Sequence, residues 1–179
     1  LSKETYTFAP LFAYLMAGVY RILSPDIFAI RLLNVLFGVL ACWVVYGIGA
    51  RLGGRKIGLL AGLGAALYKP FIFYSIVPLK EMPSALLFAL TVLGLLYVIE
   101  GKRLLPAGLL GLAAGLLINV RPNAVILLPF LLLMILWHRS RNRGSFRSAA
   151  ASLALSLLGF WLAVSPFVIR NYVVAGTFA

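Results

Sequence analysis

The sequence predicts an all-α fold: a polytopic transmembrane bundle of about six spanning helices, with one further helix lying in the interface. Three observations predict it. Of 179 residues, 63% are hydrophobic and 11% charged, whereas a soluble domain runs nearer half apolar and a quarter charged. The apolar residues gather into runs close to the roughly 20 residues needed to cross a bilayer. The basic residues fall at the ends of those runs. Such a chain could not cover a water-facing surface.

The formal charge is +12, from 16 Lys and Arg against four acids. Excess basic charge suits nucleic acid, an anionic membrane surface or an anionic substrate. No nucleic-acid partner is expected, because the cations form no stripe interleaved with exposed aromatics. Membrane lipids are the expected surroundings. Cys42 is the sole cysteine and lies inside an apolar run, as a packing residue. His138 is the sole histidine, so a His/Cys metal site is unsupported.

The elements follow in order. The segment 8–23 has an uninterrupted part, Ala9 to Tyr20, closed by Arg21. That is too short to span and suits a helix in or re-entering the interface. Six apolar segments follow. Leu32 to Ala50 is interrupted only by Asn34, and Ile57 to about Tyr74 by Lys69 and Pro70. Met82 to Ile99, Leu104 to Val120, Asn123 to Trp137 and Ser148 to Ile169 complete the set. The chain therefore reads as one transmembrane domain over 1–179. Residues 1–28 form an extracytoplasmic or interfacial lead, and 29–179 form the bundle. A chain that starts at Leu1 is expected to be a piece of a longer protein.

"GLLAGLGAAL" (58–67) and "GLLGLAAGLL" (108–117) are near repeats. Each holds a small-xxx-small pair, Gly58 with Gly62 and Gly111 with Gly115, which lets helices approach closely in lipid. Internal duplication and the chance likeness of two Gly/Leu runs both explain them.

The loops orient the chain. Arg51, Arg55, Lys56, Lys102, Arg103, Arg139, Arg141, Arg143 and Arg147 share one side with Glu100. The positive-inside rule makes that side cytoplasmic. Lys3, Arg21, Arg31, Lys69, Lys80, Arg121 and Arg170 remain on the other side, unexplained by the rule. Lys69 either snorkels outward, helped by Pro70, or lines a cavity. Arg121, before Pro122 and Asn123, is either a charged turn or an anion contact with the fork geometry that suits phosphate. Together these cations point to an anionic ligand near the extracytoplasmic face, for which a lipid phosphate is the natural candidate.

One stretch stands apart. "IVPLKEMPSALL" (76–87) sets Lys80 beside Glu81 between Pro78 and Pro83. Glu81 either neutralises Lys80 or Arg121, or does chemistry by orienting a hydroxyl, taking a proton or ligating a divalent cation. The prolines are expected to stop the helix on both sides, since irregular backbone at membrane depth is tolerated where it lines a cavity.

Five motifs in order carry a family resemblance: "FAPLFAYLMAGVYRIL" (8–23), "AIRLLNVLFGVLACWVVYGIGARLGGRKIGLLAG" (29–62), "FIFYSIVPLKEMPSALLF" (71–88), "INVRPNAVILLP" (118–129) and "SPFVIRNYVVAGTF" (165–178). The chain resembles the membrane core of bacterial family 39-type glycosyltransferases. Their class C superfamily includes protein mannosyltransferases and aminoarabinose transferases. The resemblance implies transfer of a sugar from a polyprenyl-phosphate-linked donor to an extracytoplasmic acceptor, with inversion, in the bacterial inner membrane. It implies that Lys69, Lys80, Arg121 and Arg170 hold the carrier phosphate, the leaving group. It makes Glu81 a secondary carboxylate, because the family's main catalytic Asp belongs to a loop expected upstream of Leu1. Glu4 stands too close to Pro10 to replace that Asp. A divalent cation is used by some relatives, and no other cofactor is implied. The piece alone is expected to be inactive. Two rival readings are a transporter or flippase for a lipid-linked sugar and a non-catalytic assembly subunit.

Overall fold

The computed structural model describes residues 10–22, 25–100, 104–141 and 146–175, with side chains for all of these except 138–149 and 174–175. Lys3, Glu4, Lys102 and Arg103, and the side chains of His138, Arg139, Arg141, Arg143 and Arg147, lie outside the described residues. Among the described residues there are seven α-helices and one 3₁₀ turn. They are α1 (Pro10–Ile22), α2 (Ile27–Leu67), α3 (Lys69–Ile76), α4 (Glu81–Glu100), α5 (Leu105–Val120), the 3₁₀ turn (Pro122–Ile126), α6 (Leu127–Arg141) and α7 (Phe146–Ala175). The all-α expectation holds. Among the described residues three helices are long and apolar enough to cross a membrane: Ile27–Leu67, Glu81–Glu100 and Ala150–Val173. Leu105–Val120 and Pro122–Trp137 are shorter apolar helices.

The first of these is two passes, not one. Inside α2, Gly53 (φ −145°, ψ 17°) and Gly54 (φ 82°, ψ 175°) leave helical geometry. Gly54 occupies the left-handed half of φ space, open to glycine at little cost. The chain turns back there, between Arg51 and Arg55, where the sequence placed a loop. The arms 27–52 and 55–67 then pack antiparallel. A Cβ at Gly58 would lie 2.8 Å from the Tyr46 carbonyl oxygen, and one at Gly62 would lie 3.1 Å from the Tyr46 Cβ. The pairing continues past Tyr68, which is extended (φ −69°, ψ 115°), because Ser75 of α3 faces Gly38. So α3 prolongs the second arm along the first.

α2 begins at Ile27, five residues before the expected apolar start. Asp26 caps it, its carboxylate accepting from the Phe28 N–H at 3.1 Å. A cap recruits Arg31 into the helix, where hydropathy alone sees a flank.

The chain divides into two compact units, Phe12–Leu93 and Leu1–Leu11 with Gly94–Ala179. In the first, the buried face of the first arm runs through Ile30, Asn34, Gly38, Ala41 and Gly49. That face carries α3 and more than half of α4: Gly38 lies near Met82, and Gly47 near Leu93. α4 therefore runs parallel to the first arm. α1, 13 residues long, spans only about 20 Å. Its Phe12 is buried, while Tyr14, Tyr20 and Arg21 are exposed.

The second unit is centred on Leu95, Val98, Ala107, Leu110, Ala114, Leu131 and Ile135. Its closest seam joins α5 to α7. A Cβ at Gly111 would run into the Ser156 carbonyl, and one at Gly159 into that of Gly108. Gly115 faces Phe160 and Ala163. Residue numbers rise together on both sides, so α5 and α7 are parallel. Asn119 staples them, its Nδ2 donating to Ala163 O at 3.2 Å and to Gly115 O at 2.9 Å. The two near repeats thus do different jobs, one against an antiparallel arm and one against a parallel helix. α7 continues through Pro166 to Ala175, so Arg170 and Asn171 lie inside it and do not end it, as the apolar run alone suggested.

Candidate functional site

Proline builds the break between α3 and α4. Val77 is extended (φ −88°, ψ 132°), as a residue before proline prefers. Pro78 has no N–H with which to carry the helix on. The Leu79 N–H donates to Val77 O at 2.8 Å, closing a γ-turn around Pro78. Lys80 follows, and Glu81 opens α4. Pro83 stands in the first turn of α4, where its missing N–H would have had no helical partner. The expectation that prolines stop the helix on both sides therefore holds for Pro78 alone.

Irregular backbone within a bilayer must be satisfied by protein. Asn34, wholly buried in α2, donates from Nδ2 to Val77 O at 2.7 Å and Leu79 O at 3.1 Å. Lys80 O accepts from the Ser84 N–H at 3.1 Å and from Ser84 Oγ at 2.6 Å. Two polar side chains thus satisfy three carbonyls of the break. Ser75 Oγ donates back to Phe71 O at 2.7 Å.

Lys80 and Glu81 are half-buried on this corner, with Glu81 Oε2 removed from solvent. A first-turn carboxylate also complements the positive end of α4. Lys69 is exposed at the start of α3, followed by Pro70. Eight residues of α3 separate it from the corner by about 12 Å. The first unit therefore brings Lys80 and Glu81 together and holds Lys69 a helix length away.

In the second unit Arg121 is exposed at the junction of α5 and the 3₁₀ turn. It is extended (φ −134°, ψ 96°), its N–H donating to Leu117 O at 2.7 Å and its O accepting from the Ala124 N–H at 2.9 Å. Arg121 thus stands in a turn, the first of the two alternatives the sequence offered for it. Arg170 is half-buried, with a guanidinium N–H donating to Asn171 Oδ1 at 3.4 Å. Because α5 and α7 are parallel and Asn119 meets Ala163, Arg121 and Arg170 fall at the same end of that unit, about one turn apart in height.

Among the described residues no three of His, Cys, Asp and Glu gather into a metal-ligating group. Sequence reasoning missed Asn34 and Ser84 as builders of the corner. The signal was present for Asn34, since an amide inside an apolar run calls for a partner.

The model of one protein family, described as dolichyl-phosphate-mannose-protein mannosyltransferase, matches residues 7–169. No curated protein matches the chain, and no solved structure does. The matched range takes in the α3–α4 corner and Arg121, and stops one residue before Arg170.

Proposed function

The chain belongs to the dolichyl-phosphate-mannose-protein mannosyltransferase family, and we propose that it is the core of a bacterial family 39-type membrane glycosyltransferase. On this reading a sugar leaves a polyprenyl-phosphate carrier for an acceptor hydroxyl outside the cytoplasm, with inversion at the anomeric carbon. The carrier phosphate departs with the bonding electrons, and cations stabilise the charge that develops on it. The protein resides in the bacterial inner membrane with the site on its extracytoplasmic side. The single observation that carries the reading is the family match across most of the chain.

The residues have roles on this reading. Lys80 meets the carrier phosphate from a corner whose backbone is already satisfied, and so needs no reorganisation there. Arg121 and Arg170 contribute guanidinium groups from the common end of α5 and α7, with donors paired for phosphate oxygens. Lys69, at the other end of α3, is a further phosphate-binding cation on this reading, on a long stem that can extend to the membrane surface. Glu81 is a second carboxylate that orients or deprotonates the acceptor.

The test is transfer of a labelled sugar from a polyprenyl-phosphate donor by the full-length protein in lipid. Transfer supports the reading. Movement of the intact lipid-linked sugar across the bilayer without transfer would replace it with a flippase.

A further inference from the structure

We propose that Asn34 is the positioning residue of the Lys80–Glu81 corner: its amide, fixed in α2, sets where that corner stands. The catalytic consequence rests on the reading of Lys80 and Glu81 given above, and the placement itself does not.

Asn34 is fully buried, and both bonds from its Nδ2 go to residues 43 and 45 positions away. Both acceptors lie in the non-helical break, not inside α3 or α4. Asn119 makes the useful contrast. It bonds to its own helix and to a carbonyl within α7, so it staples helix to helix. Asn34 holds a turn.

The amide is also costly to keep. Its Oδ1 is buried and accepts no hydrogen bond, and an unmet buried acceptor is unfavourable. An apolar residue would avoid that cost but would leave the Val77 and Leu79 carbonyls without these donors. One turn further along, Gly38 leaves room for Ser75 Oγ and Met82 Sδ. The flanks of the break therefore rest on the same face of α2 as the amide that grips it. Moving that grip moves Lys80 and Glu81 together.

The test uses full-length protein in lipid nanodiscs, with Cys42→Ala and a nitroxide on Leu79→Cys. Leu79 is 43% exposed and has no assigned role in transfer. In the parent the label should report a restrained corner. Asn34→Leu, apolar and similar in size, should free it and narrow the spectrum. Asn34→Asp should free it at neutral pH, because a carboxylate cannot donate. As pH falls, the protonated acid regains one O–H donor and the restraint should return. The charged groups nearest this amide along α2 and in the corner are Arg31, Lys80 and Glu81, so the parent with Asn34 intact is titrated in parallel and its spectrum should stay constant.

In the transfer assay both variants should lose kcat about tenfold or more at neutral pH, with a smaller change in donor KM, as expected when bound groups are misplaced. A corner equally restrained in all three proteins overturns the proposal. A freed corner with unchanged kcat upholds the placement and overturns the catalytic role given to Lys80 and Glu81. If Asn34→Leu fails to insert, the acid-dependent return in Asn34→Asp decides alone. If the parent transfers no sugar, the glycosyltransferase reading fails while the label spectra still decide the placement.

Discussion

At the residue scale, the corner separates two jobs that one carboxylate can do. Glu81 sits in the first turn of α4, where a negative charge is worth a few tenths of a kcal/mol to about 1 kcal/mol to the helix. A group that takes a proton in the transition state is worth far more, about 10²–10⁴-fold in rate. Glu81→Gln keeps the shape and a hydrogen-bonding side chain but loses the charge. We expect transfer by the full-length protein to fall by about 10²-fold or more with little loss of thermal stability. Normal transfer would reduce Glu81 to a helix-start charge. The placing of Lys80 and Glu81 side by side at the break was legible in the sequence because charge is rare in this chain. Asn34 as its support was not, because its partners are 43 and 45 residues away and nothing local predicts that pairing.

At the element scale, glycine decides both seams and does so by different physics. Gly54 is needed for its backbone conformation, with φ at 82°. Gly54→Val should cost about 1–2 kcal/mol, the usual penalty for a side chain in left-handed geometry. It should appear as lower thermal stability in detergent with helix content preserved. Gly111 is needed for space, since its missing Cβ is where the Ser156 carbonyl sits. Gly111→Leu should cost about 1–3 kcal/mol or more by overpacking and should separate α5 from α7, read as lost cross-linking between cysteines placed at Gly108 and Leu155. Gly108 and Leu155 are already close, with 4.0 Å between a Cβ built on the first and the carbonyl of the second. The small-residue pairs were visible from the sequence, but their partners were not. Ser152, Ser156, Gly159 and Ala163 form the matching stripe on α7 and are spread through a run that hydropathy reads as uniformly apolar. Helix limits were legible to within a few residues. They failed where a cap or an interior proline outvoted composition, at Asp26, Pro83 and Pro166.

At the scale of the whole molecule, alternating apolar runs and basic loops were enough to give an all-helical membrane fold, because a bilayer admits few alternatives. The orientation predicted from the loops is checked with single cysteines in a Cys42→Ala background. A membrane-impermeant maleimide added outside should label Leu79→Cys and leave Arg55→Cys unlabelled until the membrane is opened. The reverse pattern would move the corner, with Lys80 and Glu81, to the cytoplasmic face and end the extracytoplasmic reading. The parallel pairing of α5 with α7 carries a further consequence, for synthesis. The two arms of α2 meet across a two-glycine turn, so they can close as soon as the second has left the ribosome. The glycine seam of α5 has no such neighbour. Its mate, joined to it through Asn119 and Ala163, is 44 residues downstream, with all of α6 to be inserted first. During translation α5 must wait beside lipid with its groove open, and the second unit can be completed only when α7 arrives. A chain interrupted between α6 and α7 would keep the hairpin of its first unit and present an unfilled seam in its second, the place where quality-control proteases would find it.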